Sequence, residues 1–206
     1  MSTFITVYKG NFFDITKYAQ NLQTLHGAVN KALGCENTGR TAAEGLFHLE
    51  QNETSETVWL YVQGNREAGE ICSFTKTRVI CLDNKIDSLR SGDILQFELR
   101  CSPMVHRRKA DGNRRKYLNK SAERMEWLKR QGERLGFDVL QYNETGKVTV
   151  LFQHKGLPAG KEKGKKDAFD VNGFLKVTDA DIFKDTMKKG IGSGKAYGLG
   201  MLFVKK

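Results

Sequence analysis

Phe4-Ile5-Thr6-Val7-Tyr8 opens a stretch, continuing to Val62, whose pattern settles the architecture. Five β-favouring, mostly apolar residues read as a core strand. Between Lys17 and Leu33, apolar side chains recur at 18, 22, 25, 29 and 33. Spacings of four, three, four and four place them on one helix face. Gly34 suits a helix C-cap. Leu46-Phe47-His48-Leu49-Glu50 and Val58-Trp59-Leu60-Tyr61-Val62 read as two further strands, and the polar run Gln51 to Thr57 is their hairpin loop. Phe74 to Leu82 is again β-compatible, and the short connection Arg66 to Gly69 has room for a second helix. The order β-α-β-β-(α)-β is that of a ferredoxin-like or RRM-like unit.

The pattern then repeats. Asp83 to Gly92 is polar and reads as a linker, and Asp93 to Cys101 alternates as a strand. Met104 to Lys120 is a basic, glycine-containing insertion. Ser121 to Leu135 has Met125, Leu128 and Leu135 on one helix face, with Glu126 and Arg130 as an i,i+4 pair. Phe137 to Tyr142 and Val148 to Phe152 read as strands around a turn at Asn143 to Gly146, followed by a Gly/Lys loop from Lys155 to Lys166. Asp170 to Val177 is a strand. Thr178 suits an N-cap for a helix from Asp179 to Lys189, whose early Asp179 and Asp181 complement its positive end. The expected fold is therefore α+β: two tandem ferredoxin-like βαββαβ domains, at 1–83 and 93–206.

Charge divides between the same halves. The 206 residues carry a net +10. Residues 1–103 hold ten Lys/Arg against twelve Asp/Glu, whereas residues 104–206 hold twenty-four against twelve. Positive charge concentrated in this way suits a polyanion, most often nucleic acid. Residues 104–134 alone contain eleven basic residues against four acids, among them Arg107, Arg108, Arg114, Arg115, Lys116, Arg124 and Arg130. Lys155 and Lys161 belong to a second, looser cluster. No apolar run approaches the roughly 20 residues of a membrane span, and no signal peptide is evident. Cys35, Cys72, Cys81 and Cys101 are widely spaced with no C-x-x-C pair, which argues against structural zinc and suits a reduced, cytoplasmic setting.

The C-terminal tail Gly190-Ile191-Gly192-Ser193-Gly194-Lys195-Ala196-Tyr197-Gly198-Leu199-Gly200 invites a phosphate reading, because clustered backbone N–H groups and a lysine suit anionic oxygens. Gly192, Gly194 and Lys195 are its candidate contacts. It is not a Walker A loop, since Ala196 follows Gly194-Lys195. It is not a dinucleotide loop either, because it follows a helix and opens a strand. No nucleotide cofactor is expected. For chemistry, His26 stands out: Gln23, His26 and Asn30 form a polar strip beside the apolar stripe of the first helix, and imidazole moves protons near neutral pH. His48, His106 and His154 are weaker candidates. No histidine pair has metal-ligand spacing, the carboxylates are scattered, and no cofactor or metal is expected.

Three of these features together resemble the Cas6e (Cse3/CasE) family of CRISPR RNA endoribonucleases of type I-E systems: the mid-helix Leu25-His26, the two strands at 45–50 and 58–63, and the tail. Val171 to Asp179 followed by Gly190-Ile191-Gly192-Ser193-Gly194-Lys195-Ala196-Tyr197-Gly198-Leu199-Gly200-Met201-Leu202 is similar to the family's G-I-G-x-x-K-A-[FY]-G-x-G-[LM]-L pattern. The resemblance implies binding of the stem-loop in a CRISPR repeat RNA and metal-independent cleavage at the 3′ base of the stem. The 2′-hydroxyl would attack the adjacent phosphate, giving a 2′,3′-cyclic phosphate and a 5′-hydroxyl. It implies retention afterwards as a Cascade subunit, and His26 as general acid/base. The family often carries a tyrosine three residues before the histidine. Here that position is Gln23, and Tyr18 would lie roughly 80° from His26 around an ideal helix. Lys31, about 140° away on the same basis, could offset developing phosphate charge. The competing reading is a non-catalytic RNA-hairpin-binding subunit of the same fold.

Overall fold

The computed structural model describes residues 2–35, 45–51, 55–109, 112–153 and 163–206, without the side chains of 106–109, 112–115, 153 and 163. Among these residues, ten strands and five α-helices form two four-stranded antiparallel sheets and a two-stranded ribbon. The first sheet has the order β2-β3-β1-β4 and contains β1 (Phe4–Asn11), β2 (Leu46–Gln51), β3 (Thr57–Gly64) and β4 (Phe74–Cys81). The second has the order β10-β5-β9-β8 and contains β5 (Ile94–Cys101), β8 (Phe137–Gln153), β9 (Lys163–Val177) and β10 (Leu202–Lys205). Each sheet has its first and third strands at the centre, as the ferredoxin-like pattern requires.

Period-two alternation gives the first sheet two buried faces. On one face Tyr8, Phe47, Val58, Leu60 and Val62 pack against Leu25 and Val29 of α2 (Leu22–Ala32) and against Leu33, its C-cap. Each such side chain contributes roughly 1.5–3 kcal/mol on burial. On the other face Ile5, Val7 and Leu46 join Leu95, Phe97 and Leu99 of β5, with Met201 and Leu202. That cluster continues to Trp127 and Leu128 of α4 (Ser121–Leu135) and to Phe183 and Met187 of α5 (Ala180–Lys189). The two sheets thus share one continuous apolar core. Polar contacts reinforce the junction: Gln63 donates to the Met187 carbonyl at 2.8 Å, and Arg100 donates to the Leu49 carbonyl at 2.8 Å while holding Asp170 bidentately at 2.6 and 3.0 Å.

Several expected elements differ. The helix expected from Lys17 to Leu33 breaks at Asn21, whose extended backbone and side chain, accepting from the Gln23 N–H at 3.1 Å, start α2 afresh after the single turn α1 (Thr16–Ala19). Tyr18 is consequently buried apart from α2, its hydroxyl on the Cys72 carbonyl. No helix forms at Arg66 to Gly69. The backbone there bonds outward instead, Gly69 N–H to Ala32, Gly69 carbonyl to Tyr8, and Ala68 N–H to Thr6. The helix follows β4, as α3 (Asp83–Asp87), inside the expected linker. Leu82, Ile86 and Leu89 are buried at helical spacing there, so this polar-looking segment is part of the core.

In the second half, the expected turn at Asn143 to Gly146 is a register shift within one long strand, β8. Glu144 keeps that strand continuous by facing Arg124 rather than solvent. Lys163 to Lys166 opens β9, while residues 154–162, with Lys155 and Lys161, lie outside the described residues. The basic insertion is a hairpin, β6 (Met104–Lys109) and β7 (Gly112–Tyr117), that pairs with neither large sheet.

Candidate active site

The site is built from α2 outward. Leu25 and Val29 anchor the helix in the core, which leaves the next position on the flank, His26, half-buried at the edge of the helix–sheet contact. One helical turn later Asn30 turns its amide back: Nδ2–H donates to His26 Nε2 at 3.2 Å. The other ring nitrogen, Nδ1, is sealed from solvent and has no hydrogen-bond partner among the described residues. Phe47 of β2 lies nearly parallel to the imidazole, with centroids 6.4 Å apart and an interplanar angle of 26°. Burial lowers the imidazole below its ordinary value of 6.5, which favours the neutral ring.

The glycine-rich tail forms the wall behind this group. It closes on itself, since the Ile191 N–H donates to the Gly200 carbonyl at 2.8 Å, and it is pinned to β5 by the Gly200 N–H on the Arg100 carbonyl. Its short 3-10 turn, Lys195–Tyr197, packs against α2 and β2. Gly190, Gly192, Gly194, Gly198 and Gly200 all have positive φ, where only glycine is at ease. Space matters as well. A Cβ on Gly198 would stand 2.9 Å from the Phe47 ring, and one on Gly192 would stand 3.1 Å from Trp127. The loop is therefore a close-packed wedge between α4 and β2, and it reaches His26 through Phe47. Lys195 is half-buried in it, and burial, then the charge of Lys189, lowers its ammonium below the usual lysine value. Ser193 is fixed by Lys166 of β9, whose Nζ donates to Oγ at 3.0 Å.

The other predicted residues fall in three groups. Gln23 is half-buried in the first turn of α2, close in sequence to His26 on the same flank, while Lys31 is exposed in the last turn. The hairpin register sets Arg107 opposite Arg114, His106 opposite Arg115 and Val105 opposite Lys116. Arg130 is exposed on α4. Arg124 is a correction: its guanidinium is buried, held bidentately by Glu144 at 2.8 and 2.7 Å, bonded to the Leu118 carbonyl and stacked 3.9 Å over Phe169. That pairing holds the Glu144 carboxyl down to about 2. Arg124 is thus a structural cation with no surface to offer a phosphate. Phe47 and Ser193 carried no sequence signal of their own, and Lys166 stood only among the lysines of the Gly/Lys segment. Asn30 stood out as part of the polar strip, and its role is visible only once the ring orientation is known. Among the described residues, no three His, Cys, Asp or Glu side chains converge as a metal site.

Comparison with known proteins places this arrangement. A family model described as CRISPR associated protein matches residues 9–206. The CRISPR-associated endoribonuclease Cse3 of Thermus thermophilus is 33% identical over 125 residues, which are 57% of this chain and 58% of that protein. The chain therefore matches only somewhat over half the length of that curated relative. Among solved structures, CRISPR endoribonuclease Cse3 bound to a 19-nucleotide RNA superposes over all of both chains with a TM-score of 0.83 at 25% identity. Thermus thermophilus Cse3 bound to an RNA representing a pre-cleavage complex gives 0.81 at 22% identity, again over all of both chains. With its whole length from residue 9 matched by the family model, the chain belongs to the CRISPR-associated proteins.

Proposed function

We propose that the protein is a metal-independent endoribonuclease that binds the stem-loop of a CRISPR repeat RNA and cuts at the 3′ base of the stem. The observation that carries this reading is a half-buried His26 on the flank of α2, bonded to Asn30 and lying beside Phe47, which the glycine-rich loop backs. An imidazole of depressed basicity is a competent base near neutral pH. His26 takes the proton from the 2′-hydroxyl, the 2′-oxygen bonds to phosphorus, and the P–O5′ bond breaks. The 5′-oxygen leaves as a hydroxyl by regaining that proton from the imidazolium, and the other product ends in a 2′,3′-cyclic phosphate. Lys31 and Lys195 supply positive charge near the dianionic transition state. Gln23, where relatives often carry tyrosine, orients a hydroxyl or water.

The hairpin cations Arg107, Arg108, Arg114, Arg115 and Lys116, with Arg130, Lys155 and Lys161, grip the RNA backbone, and Gly192 and Gly194 let a strand approach the loop closely. After cleavage the protein stays on its product as a subunit of Cascade in the cytoplasm. No described helix is long and apolar enough to cross a membrane. The test is incubation with the cognate repeat hairpin in EDTA, with and without a 2′-deoxy substitution at the scissile nucleotide. Cleavage of the all-ribose hairpin only, leaving a cyclic phosphate, supports the mechanism. Cleavage of the 2′-deoxy substrate overturns it, and binding without cleavage of either substrate marks a hairpin-binding subunit instead.

A further inference from the structure

We infer that Asn30 is a positioning residue that presents His26 as a base, by holding its imidazole in the tautomer with the proton on Nδ1 and the lone pair on Nε2. The inference rests on the reading of His26 as the proton-moving group. Its warrant is geometric. An amide N–H2 group can only donate, so a ring nitrogen 3.2 Å from it must accept. In a neutral imidazole one nitrogen accepts and the other carries hydrogen, which leaves the hydrogen on the sealed Nδ1, which has no partner among the described residues. The nearly parallel Phe47 ring, itself backed by Gly198, lies beside the imidazole on the side of the sheet. A hydrogen bond to the neutral form also disfavours protonation, because Nε2–H would point at the amide hydrogens. His26 thus meets RNA with a lone pair already aimed along the helix flank, and the 2′-hydroxyl takes the place of the amide.

The other titratable groups around α2 do not provide this control. Lys17 and Tyr18 stand on α1, Lys195 and Tyr197 on the 3-10 turn, Lys147 on β8 and Lys31 on α2 itself. On β8, Glu144 is committed to Arg124, and Asp138 lies at the opposite end of the strand from Phe152, which packs near Leu22. Glu50 of β2 interacts with Tyr61. Among the described residues, therefore, Asn30 is the polar side chain given to Nε2, and exchanging it for a carboxylate adds the one missing charge.

The experiment is a pH titration of His26 by two-dimensional ¹H–¹⁵N NMR on the full-length protein, free of RNA, for the wild type, Asn30→Asp and Asn30→Ala. Single-turnover cleavage across pH is measured in parallel. The wild type is expected to show the Nδ1–H tautomer. Asn30→Asp is expected to raise the His26 midpoint by about one unit or more, as a carboxylate at this distance does, and to carry the acid limb of the cleavage profile up by the same amount. Asn30→Ala is expected to lose the tautomer preference and about tenfold in single-turnover rate, with RNA affinity unchanged. An Nε2–H wild-type tautomer, or a midpoint that does not move in Asn30→Asp, overturns the inference. Failure of the underlying reading is separate: it shows as wild-type cleavage by His26→Ala, whatever the NMR spectra show.

Discussion

The glycine-rich loop and the β6–β7 hairpin look alike in composition, and the fold uses them in opposite ways. Both combine glycine with lysine or arginine, and both read as phosphate contacts from sequence. The loop is driven into the structure: Ile191, Leu199 and Met201 are buried, and its glycines are fitted against Trp127, Phe47 and the Ile191 carbonyl. The hairpin's two strands pair only with each other, and it meets the core through Val105 near its base. Glycine in the first serves close approach; positive charge in the second serves long-range attraction. The same division separates Arg124 from Arg130, six residues apart on one helix. One is locked between Glu144 and Phe169, and the other faces solvent.

The most forceful way to test this division is to remove a buried cation that composition would count as an RNA contact. Arg124→Ala leaves Glu144 and Tyr142 facing an empty site, and breaking a buried pair of this kind costs about 3–5 kcal/mol. Urea unfolding should show that loss, while RNA affinity of the still-folded protein stays at the wild-type level. A weakened affinity at unchanged stability would move Arg124 to the hairpin's side of the comparison.

Gly198→Ala probes the loop with a single methyl group. At φ +73, and with a Cβ 2.9 Å from Phe47, the substitution should cost about 1–3 kcal/mol of stability. Through Phe47 it should slow cleavage more than it weakens RNA binding. If affinity falls and the rate at saturating RNA holds, the loop is a contact surface and not a brace. The hairpin gives the converse and smallest effect. Arg114→Ala with Arg115→Ala should leave stability and saturated rate unchanged, weaken binding about tenfold at moderate salt, and reduce the slope of log affinity against log salt by about one to two. Affinity that does not change would remove the hairpin from the interface.

Much of this was legible in the sequence because alternation and helical spacing are local signals. The strands at 4–8, 46–50, 58–62 and 170–177, the helix at 121–135, the last helix (which opens at Ala180 because Asp179, not the expected Thr178, caps it) and the place of His26 beside the apolar stripe follow from which side chains are apolar. What sequence could not supply were pairings between distant residues. Glu144 looks like a turn residue until Arg124, twenty positions away, is seen to face it. The segment 83–92 looks like a linker because its buried Ile86 and Leu89, which continue the spacing from Leu82, are spread among polar residues. Asn21 divides the first helix because its side chain caps better than it continues, a choice that apolar spacing does not register. Asn30 fell on the right flank, but its bond to Nε2 depends on the orientation of the His26 ring, which helical spacing does not register.

The central claim is that the corner formed by α2, Phe47 and the glycine-rich loop exists to set one imidazole for proton transfer. The most direct measurement is single-turnover cleavage of the cognate repeat hairpin by His26→Ala in EDTA, alongside hairpin affinity for the same variant. The account predicts a rate lower by roughly 10²–10⁴-fold with affinity within a factor of about two. Cleavage at the wild-type rate, at the same phosphate, would contradict it.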